Sequence, residues 1–259
     1  MTTTTIATPS PENDPLREQL LRLGLLRMAA AYQEILAQAA KQGLAFRQIL
    51  ERLVDEESRA RFERMVARRI RDARIPVVKT LDAFDWKHPK RIRREQVLSL
   101  FDLAFVGKKH NVCFVGRSGL GKTHLATALA LEACRKGHRV LFTTAVNIVN
   151  QLQAAQSDGT FLRRLKSYLT PDVLAIDELG YLPIDRHGAD LLFQVIGGRY
   201  ERGSVILTTN RPFKEWTSIF NDATVADAVI NRLVHHSEVV VIEGRSFRMP
   251  PGDEPPPAE

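Results

Sequence analysis

The sequence predicts an α/β domain built on a central parallel sheet between helices, preceded by a small all-α domain. Three observations carry that expectation. Residues 16–74 repeat apolar side chains at three- and four-residue steps, as in Leu20, Leu23, Met28, Tyr32, Ile35 and Leu36, which is the period of a helix buried on one face. From Asn111 onward, short apolar runs at 112–115, 140–142, 173–176, 205–208 and 239–242 alternate with helical patterns. Such strands, separated by helices, belong to a parallel sheet covered on both faces.

The elements follow in order. Residues 1–15 are rich in Thr and Pro, and 249–259 are rich in Pro, so both ends are expected to be disordered. Residues 16–75 form the helical domain: a first segment broken by Gly43, a second helix through Phe46, Ile49, Leu50, Leu53 and Val54, and a third through Phe62, Val66 and Ile70. The third is strongly cationic, with Arg59, Arg61, Arg64, Arg68, Arg69, Arg71 and Arg74 opposed between those limits only by Glu63 and Asp72. A run of this kind is commonly a solvated face. An excess of guanidinium groups over local partners also suits phosphate, and DNA or RNA is the expected contact. Residues 76–93 read as a linker bounded by Pro76 and Pro89, with a further basic cluster at Lys87, Lys90, Arg91, Arg93 and Arg94. The α/β domain then occupies 94–248.

Composition narrows the function. Thirty-seven Lys and Arg against 30 Asp and Glu give a net charge of +7 over 259 residues, which favours an anionic partner. The two cysteines, Cys113 and Cys134, have no metal-ligand spacing and read as small buried apolar groups of a reducing compartment. The N-terminal residues lack the basic and apolar regions of a secretory leader, and no apolar run approaches the roughly 20 residues that cross a bilayer. The expected setting is cytoplasmic, without a membrane partner. The seven histidines do not cluster at metal spacing, and adjacent His235 and His236 on a predicted helix point different ways.

The chemistry concentrates after the first strand. Residues 116–123 read GRSGLGKT, with an apolar strand before them and a helical run from His124 to Cys134 after them, the context a phosphate-binding loop needs. Gly116, Gly119 and Gly121 let the backbone curl so that amide hydrogens, including those of Arg117, Ser118, Leu120 and His124, face phosphate oxygens. The helix N-terminus adds its positive end. Lys122 is expected to reach the β- and γ-phosphates of ATP, and the Thr123 hydroxyl to ligate Mg²⁺. Further on, an apolar strand ends in Asp177 and Glu178. Asp177 is expected to hold the Mg²⁺ and Glu178 to polarise the attacking water. A third strand ends at Thr208, Thr209 and Asn210. A parallel sheet lines up strand C-termini, so Asn210 is placed to orient water beside the γ-phosphate.

The set GRSGLGKT, VLAIDELG and ILTTN resembles the AAA+ ATPases, and within them the branch holding the helicase loader DnaC and the transposition helper IstB. The helical N-terminal segment, the FDW stretch at residues 84–86 and DELGYLP at 177–183 are most similar to IstB, over about residues 16–248. That resemblance implies an ATPase encoded beside an IstA-type transposase. It would form a homo-oligomer on double-stranded DNA and be nucleoid-associated in a bacterium, presenting target DNA and stimulating integration. It further implies that Lys122 and Thr123 are the Walker A pair, Asp177 and Glu178 Walker B, and Asn210 sensor 1. Arg232 is then the finger reaching a neighbour's γ-phosphate, with Arg199 and Arg202 as weaker candidates. The helical lid of the wider family is absent from the sequence, leaving Arg245 or Arg248 as the substitute for its sensor arginine. By the same resemblance, Arg163, Arg164 and Lys166 lie on an insertion that lines the DNA path, where they would touch phosphates without reading sequence. A solvated helix face is the competing reading. A DnaC-like loader that binds single-stranded DNA remains the alternative function. A metabolic P-loop kinase leaves the arginine-rich helix and Arg232 without a role.

Overall fold

A computed structural model describes residues 14–181 and 184–247. It divides into two compact units that meet in sequence at Ala67 and Arg68. The first unit, from residue 14, contains α1 (Pro15–Arg22), α2 (Leu26–Gln42) and most of α3 (Phe46–Asp72). Helix α1 starts within the stretch expected to be disordered. Pro15 stands in its first turn, and the Asp14 side chain accepts hydrogen bonds from the Leu16 and Arg17 amides. The first helical segment is split at Gly24, which adopts φ +71°, and α2 ends at Gly43 with φ +64°. The second and third helices expected from the sequence are one continuous helix, because no Gly or Pro lies between residues 54 and 62.

One residue ties this unit together. Glu57, on α3, is buried and accepts from the Arg27 amide at 2.7 Å and the Met28 amide at 3.0 Å. It thereby satisfies N–H groups at the start of α2, which have no intrahelical acceptor. Arg61 and Arg64 donate to its other oxygen at 3.0 and 3.1 Å. Burial pushes the Glu57 pKa up, but the Met28 and Arg27 amides and the two guanidinium groups outweigh it and leave the carboxyl below its ordinary 4.5.

The second unit holds the sheet. Its elements are α4 (Arg94–Leu100), α5 (Ala104–Lys108), β1 (Asn111–Val115), α6 (Lys122–Arg135), β2 (Val140–Thr144), α7 (Ala145–Ser157) and α8 (Phe161–Leu169). They continue with β3 (Val173–Leu179), α9 (Arg186–Arg199), β4 (Ser204–Thr209), a 3₁₀ turn (Phe213–Glu215), α10 (Thr217–Phe220), α11 (Ala223–Val234) and β5 (Ser237–Val241). All five strands are parallel, in the order β2-β3-β4-β1-β5. Alternate residues face opposite layers. Cys113, Ile176 and Leu207 pack with α7, α9 and α11, whereas Phe114, Ala175 and Ile206 pack with α4, α5, α6 and Phe84. Residues 68–93, expected to be helix end and linker, belong to this unit. Ala73 is buried, and its carbonyl accepts from the Phe142 amide at the free edge of β2.

Arg199 is fully buried. Its guanidinium donates to the carbonyls of Tyr168, Leu169, Pro171, Asp172 and Ser204. Burial lowers its pKa to about 10, partly offset by Asp172, so it is charged at neutral pH. It fastens the end of α8 to the starts of β3 and β4. This internal role displaces the suggestion that Arg199 reaches a neighbouring subunit.

The Glu57 junction sets an acid limit on the helical unit. A carboxyl held below its ordinary value stabilises above about pH 4.5 and loses that contribution as pH falls through its folded value. Glu57→Ala is expected to cost on the order of 2 kcal/mol at neutral pH. Glu57→Gln is expected to flatten the acid arm of a thermal-unfolding series run down to about pH 3.

Candidate functional site

The strand order places the C-terminal ends of β1, β4 and β3 side by side. Val115 pairs with Thr209, and Leu179 pairs with the same Thr209. Gly116 leaves β1 by donating its amide to the Thr209 carbonyl at 3.2 Å. A Cβ on Gly116 would stand 2.2 Å from the Ile242 carbonyl oxygen, so no side chain fits. Gly121 has φ +85°, begins α6, and a Cβ there would meet the Phe84 ring at 2.6 Å. Between them the loop turns so that Leu120 packs into the core while Arg117 and Ser118 stay exposed. Leu120 therefore offers a ligand only its backbone. Lys122 is buried, and its Nζ donates to the Arg117 carbonyl at 2.7 Å, curling over the loop. His124 turns the other way: its Nε2 lies 2.8 Å from the Thr80 carbonyl, and its ring meets Phe84 edge-on.

Asp177 is the meeting point of three elements. It is buried in β3 and accepts from Thr123 Oγ1 on α6 at 3.1 Å and from Thr208 Oγ1 on β4. Thr208 also accepts the Glu178 amide at 3.0 Å. The β3–β4 register slips between Ile176 and Leu179, a bulge that gives Glu178 φ +61° and leaves its side chain exposed in the cleft. The buried Asn210 Oδ1 has no hydrogen-bond partner. An orphaned acceptor beside a lysine, a threonine hydroxyl and two carboxylates is the polar furniture of a triphosphate and divalent-cation site. The residues therefore fit ATP, and Thr123 and Asp177 fit Mg²⁺.

The cleft over these groups encloses about 300 Å³. Its polar floor is Ser118 to His124 with Glu178, Thr208 and Asn210, and its other walls are residues of the segment from Lys79 to Pro89, Tyr181 and Phe247. Thr208, the FDW stretch and Pro89 were named in the sequence, but not as lining of this cleft. Thr208 had a signal, two residues before Asn210 on a strand that ends at the site.

Residues 18–251 match the family described as IstB-like ATP binding protein. The chain belongs to that family. It is 39% identical over 230 residues to a protein named as the ATP-binding protein of insertion sequence IS21 from Pseudomonas aeruginosa, covering 89% of this chain and 87% of that one. It is 36% identical over 234 residues to the corresponding protein of IS5376 from Geobacillus stearothermophilus, covering 90% and 93%. Among solved structures, the DnaC helicase loader superposes with a TM-score of 0.53 at 24% identity, over 63% of this chain and 96% of that one. AMPPCP-bound DnaA from Aquifex aeolicus superposes with 0.55 at 22%, over 66% and 51%. These two likenesses bear out the fold, a parallel sheet between helices.

The other residues singled out in the sequence lie apart from the cleft lining. Arg232 sits near the end of α11, its NH1 donating to the Ala228 carbonyl at 3.1 Å and its guanidinium 4.6 Å over the Phe193 ring. On α8, Arg163 and Lys166 are exposed and Arg164 is half-buried. On α3, Arg61 and Arg64 are paired with Glu57, Arg71 lies 3.5 Å from Asp72, Arg68 is exposed, and the buried Arg69 Nε has no partner. His235 and His236, expected to diverge, have ring centroids 4.1 Å apart. With Glu201 they bring three donor atoms within 4.8 Å of one another, because α11 ends before both histidines. Arg248, Leu182 and Pro183 lie outside the described residues. Among the described residues, no helix is long and apolar enough to cross a membrane.

Gly121→Ala tests the loop. The added methyl strains a left-handed backbone and meets Phe84. Binding of a fluorescent ATP analogue is expected to weaken more than about tenfold.

Proposed function

We propose that this IstB-like chain hydrolyses ATP with Mg²⁺ when copies of it assemble on duplex DNA, and that it prepares target DNA for the transposase of its insertion sequence. The reading rests on one observation: Lys122, Thr123, Glu178 and Asn210 line one cleft at the ends of three neighbouring strands, with Asp177 bonded to Thr123 just behind it. Lys122 leaves the Arg117 carbonyl to meet the β- and γ-phosphates. Thr123 and Asp177 would hold Mg²⁺, which would supply positive charge to offset the charge on the departing γ-phosphoryl group. Glu178, aimed by its bulge, takes the proton of the attacking water, and Asn210 Oδ1 orients that water. Arg232 lies outside the lining of its own cleft, which suits a group that completes a neighbour's site. Hydrolysis then depends on assembly.

The names of the relatives place them with insertion sequences, which supports a transposition role and an IstA-type transposase as partner. Sequence-independent phosphate contact falls first to Arg163, Arg164, Lys166, Arg68, Arg69 and Arg71. Arg61 and Arg64 share the Glu57 carboxylate, so DNA must compete for them. A cytoplasmic, nucleoid-bound protein fits this chemistry.

Three measurements bear on the proposal. Glu178→Gln is expected to bind ATP as the parent does, to lower turnover by about a hundredfold or more, and to stay trapped on DNA; normal phosphate release would remove Glu178 as the base. Arg232→Ala is expected to lose on the order of a thousandfold in DNA-stimulated hydrolysis with nucleotide affinity intact; undiminished turnover would end the finger role. In gel shifts with a non-hydrolysable analogue, duplex is expected to be shifted at lower protein concentration than single strands. The reverse order would favour the loader reading.

A further inference from the structure

We propose that Phe247, on the segment after β5 and backed by His88, forms the stacking surface for the nucleobase and sets the preference for a nucleoside triphosphate over bare phosphates. This inference rests on the nucleotide reading above. Among the described residues no helix follows β5; instead residues 242–247 are sewn across the mouth of the phosphate loop. The Ile242 amide donates to the Val115 carbonyl at 2.8 Å, and Arg91 and Glu243 exchange two backbone bonds of 3.0 Å each. A Cβ on Gly244 would come within 2.8 Å of the Lys90 amide nitrogen, so the two segments are in close contact. His88 Nε2 then lies 2.9 Å from the Arg245 carbonyl, and the Phe247 amide donates to the Gly119 carbonyl of the phosphate loop at 2.9 Å.

The strap ends in an anomaly that this arrangement explains. Phe247 is 70% exposed, yet its backbone is anchored and its ring meets His88 edge-on, with centroids 4.6 Å apart and planes at 70°. Both rings line the same cleft as Lys122 and Thr123. A large apolar ring whose backbone is anchored at the mouth of a polar cleft needs less ordering when a ligand binds than one on a free chain end. The ligand class that joins a polyphosphate to a flat aromatic body is a nucleoside triphosphate. An aromatic face accepts any base by stacking, so selection is for a planar base, and any finer choice among bases falls to polar groups along the Lys79–Pro89 wall.

The test is calorimetry on the full chain with Mg²⁺, titrating ATP and, separately, inorganic tripolyphosphate. Phe247→Ala is expected to weaken ATP roughly ten- to a hundredfold and leave tripolyphosphate unchanged, with Phe247→Trp restoring ATP. Lys122→Ala is expected to weaken both ligands. Equal loss of both in Phe247→Ala, or failure of the Trp variant to rescue, would make the strap a support for the loop alone and overturn the proposal. Parental ATP affinity in Phe247→Ala would overturn it as well. Parental affinity of Lys122→Ala for both ligands would instead sink the nucleotide reading itself.

Discussion

Asp177 joins the machinery to the scaffold. Its carboxylate is reached by a hydroxyl from the helix that follows the phosphate loop and by another from the neighbouring strand. That triangle fixes the distance between the loop and β3, and through Thr208 it also fixes the amide of Glu178. A buried carboxylate is tolerated only when its oxygens are matched by donors. The site is thus preorganised by the same bonds that make the burial of Asp177 possible. The parallel register supplies the rest: one residue of β4, Thr209, stands opposite both Val115 and Leu179.

Much of this was legible in the sequence because it depends on short-range pattern. The five strands begin and end within three residues of the apolar runs, and the inner three, β1, β3 and β4, are buried on both faces, which demands near-continuous apolar sequence. The GRSGLGKT loop, with its strand and helix, announces its own geometry. The rest depends on pairs of residues far apart in the chain. Glu57 reads as one more helix acid until the start of α2 is seen to end at it. Arg199 reads as a surface cation until five carbonyls are found around it. The bulge at Glu178 follows from strand register, which is not written in a single strand. Phe247 sits close to a Pro-rich end that composition assigns to disorder, although its amide reaches the phosphate loop 128 positions earlier in sequence, from 247 back to 119.

The cations of α3 illustrate a limit on counting charges. Within the counted interval the arginines outnumber their acidic neighbours, but Glu56 and Glu57 stand just outside it, and Glu57 engages two of them. A guanidinium that already shares a buried carboxylate gains less from a phosphate than one in open solvent. The electrostatic footprint of the chain therefore shifts toward the exposed groups of α8 and the last turns of α3.

The bond from the Phe142 amide to the Ala73 carbonyl has a practical meaning for dissecting the molecule. Strand β2 is at the border of the sheet, and a bare border strand recruits other chains. The turn after α3 closes part of that border, and Phe84 fills the layer beneath the phosphate loop. Trimming the chain to begin at residue 94 would strip both away and invite self-association through β2, whereas a cut near residue 68 keeps the border sealed. The natural joint of the molecule lies within a helix, ahead of the proline-bounded stretch where a linker would ordinarily be sought.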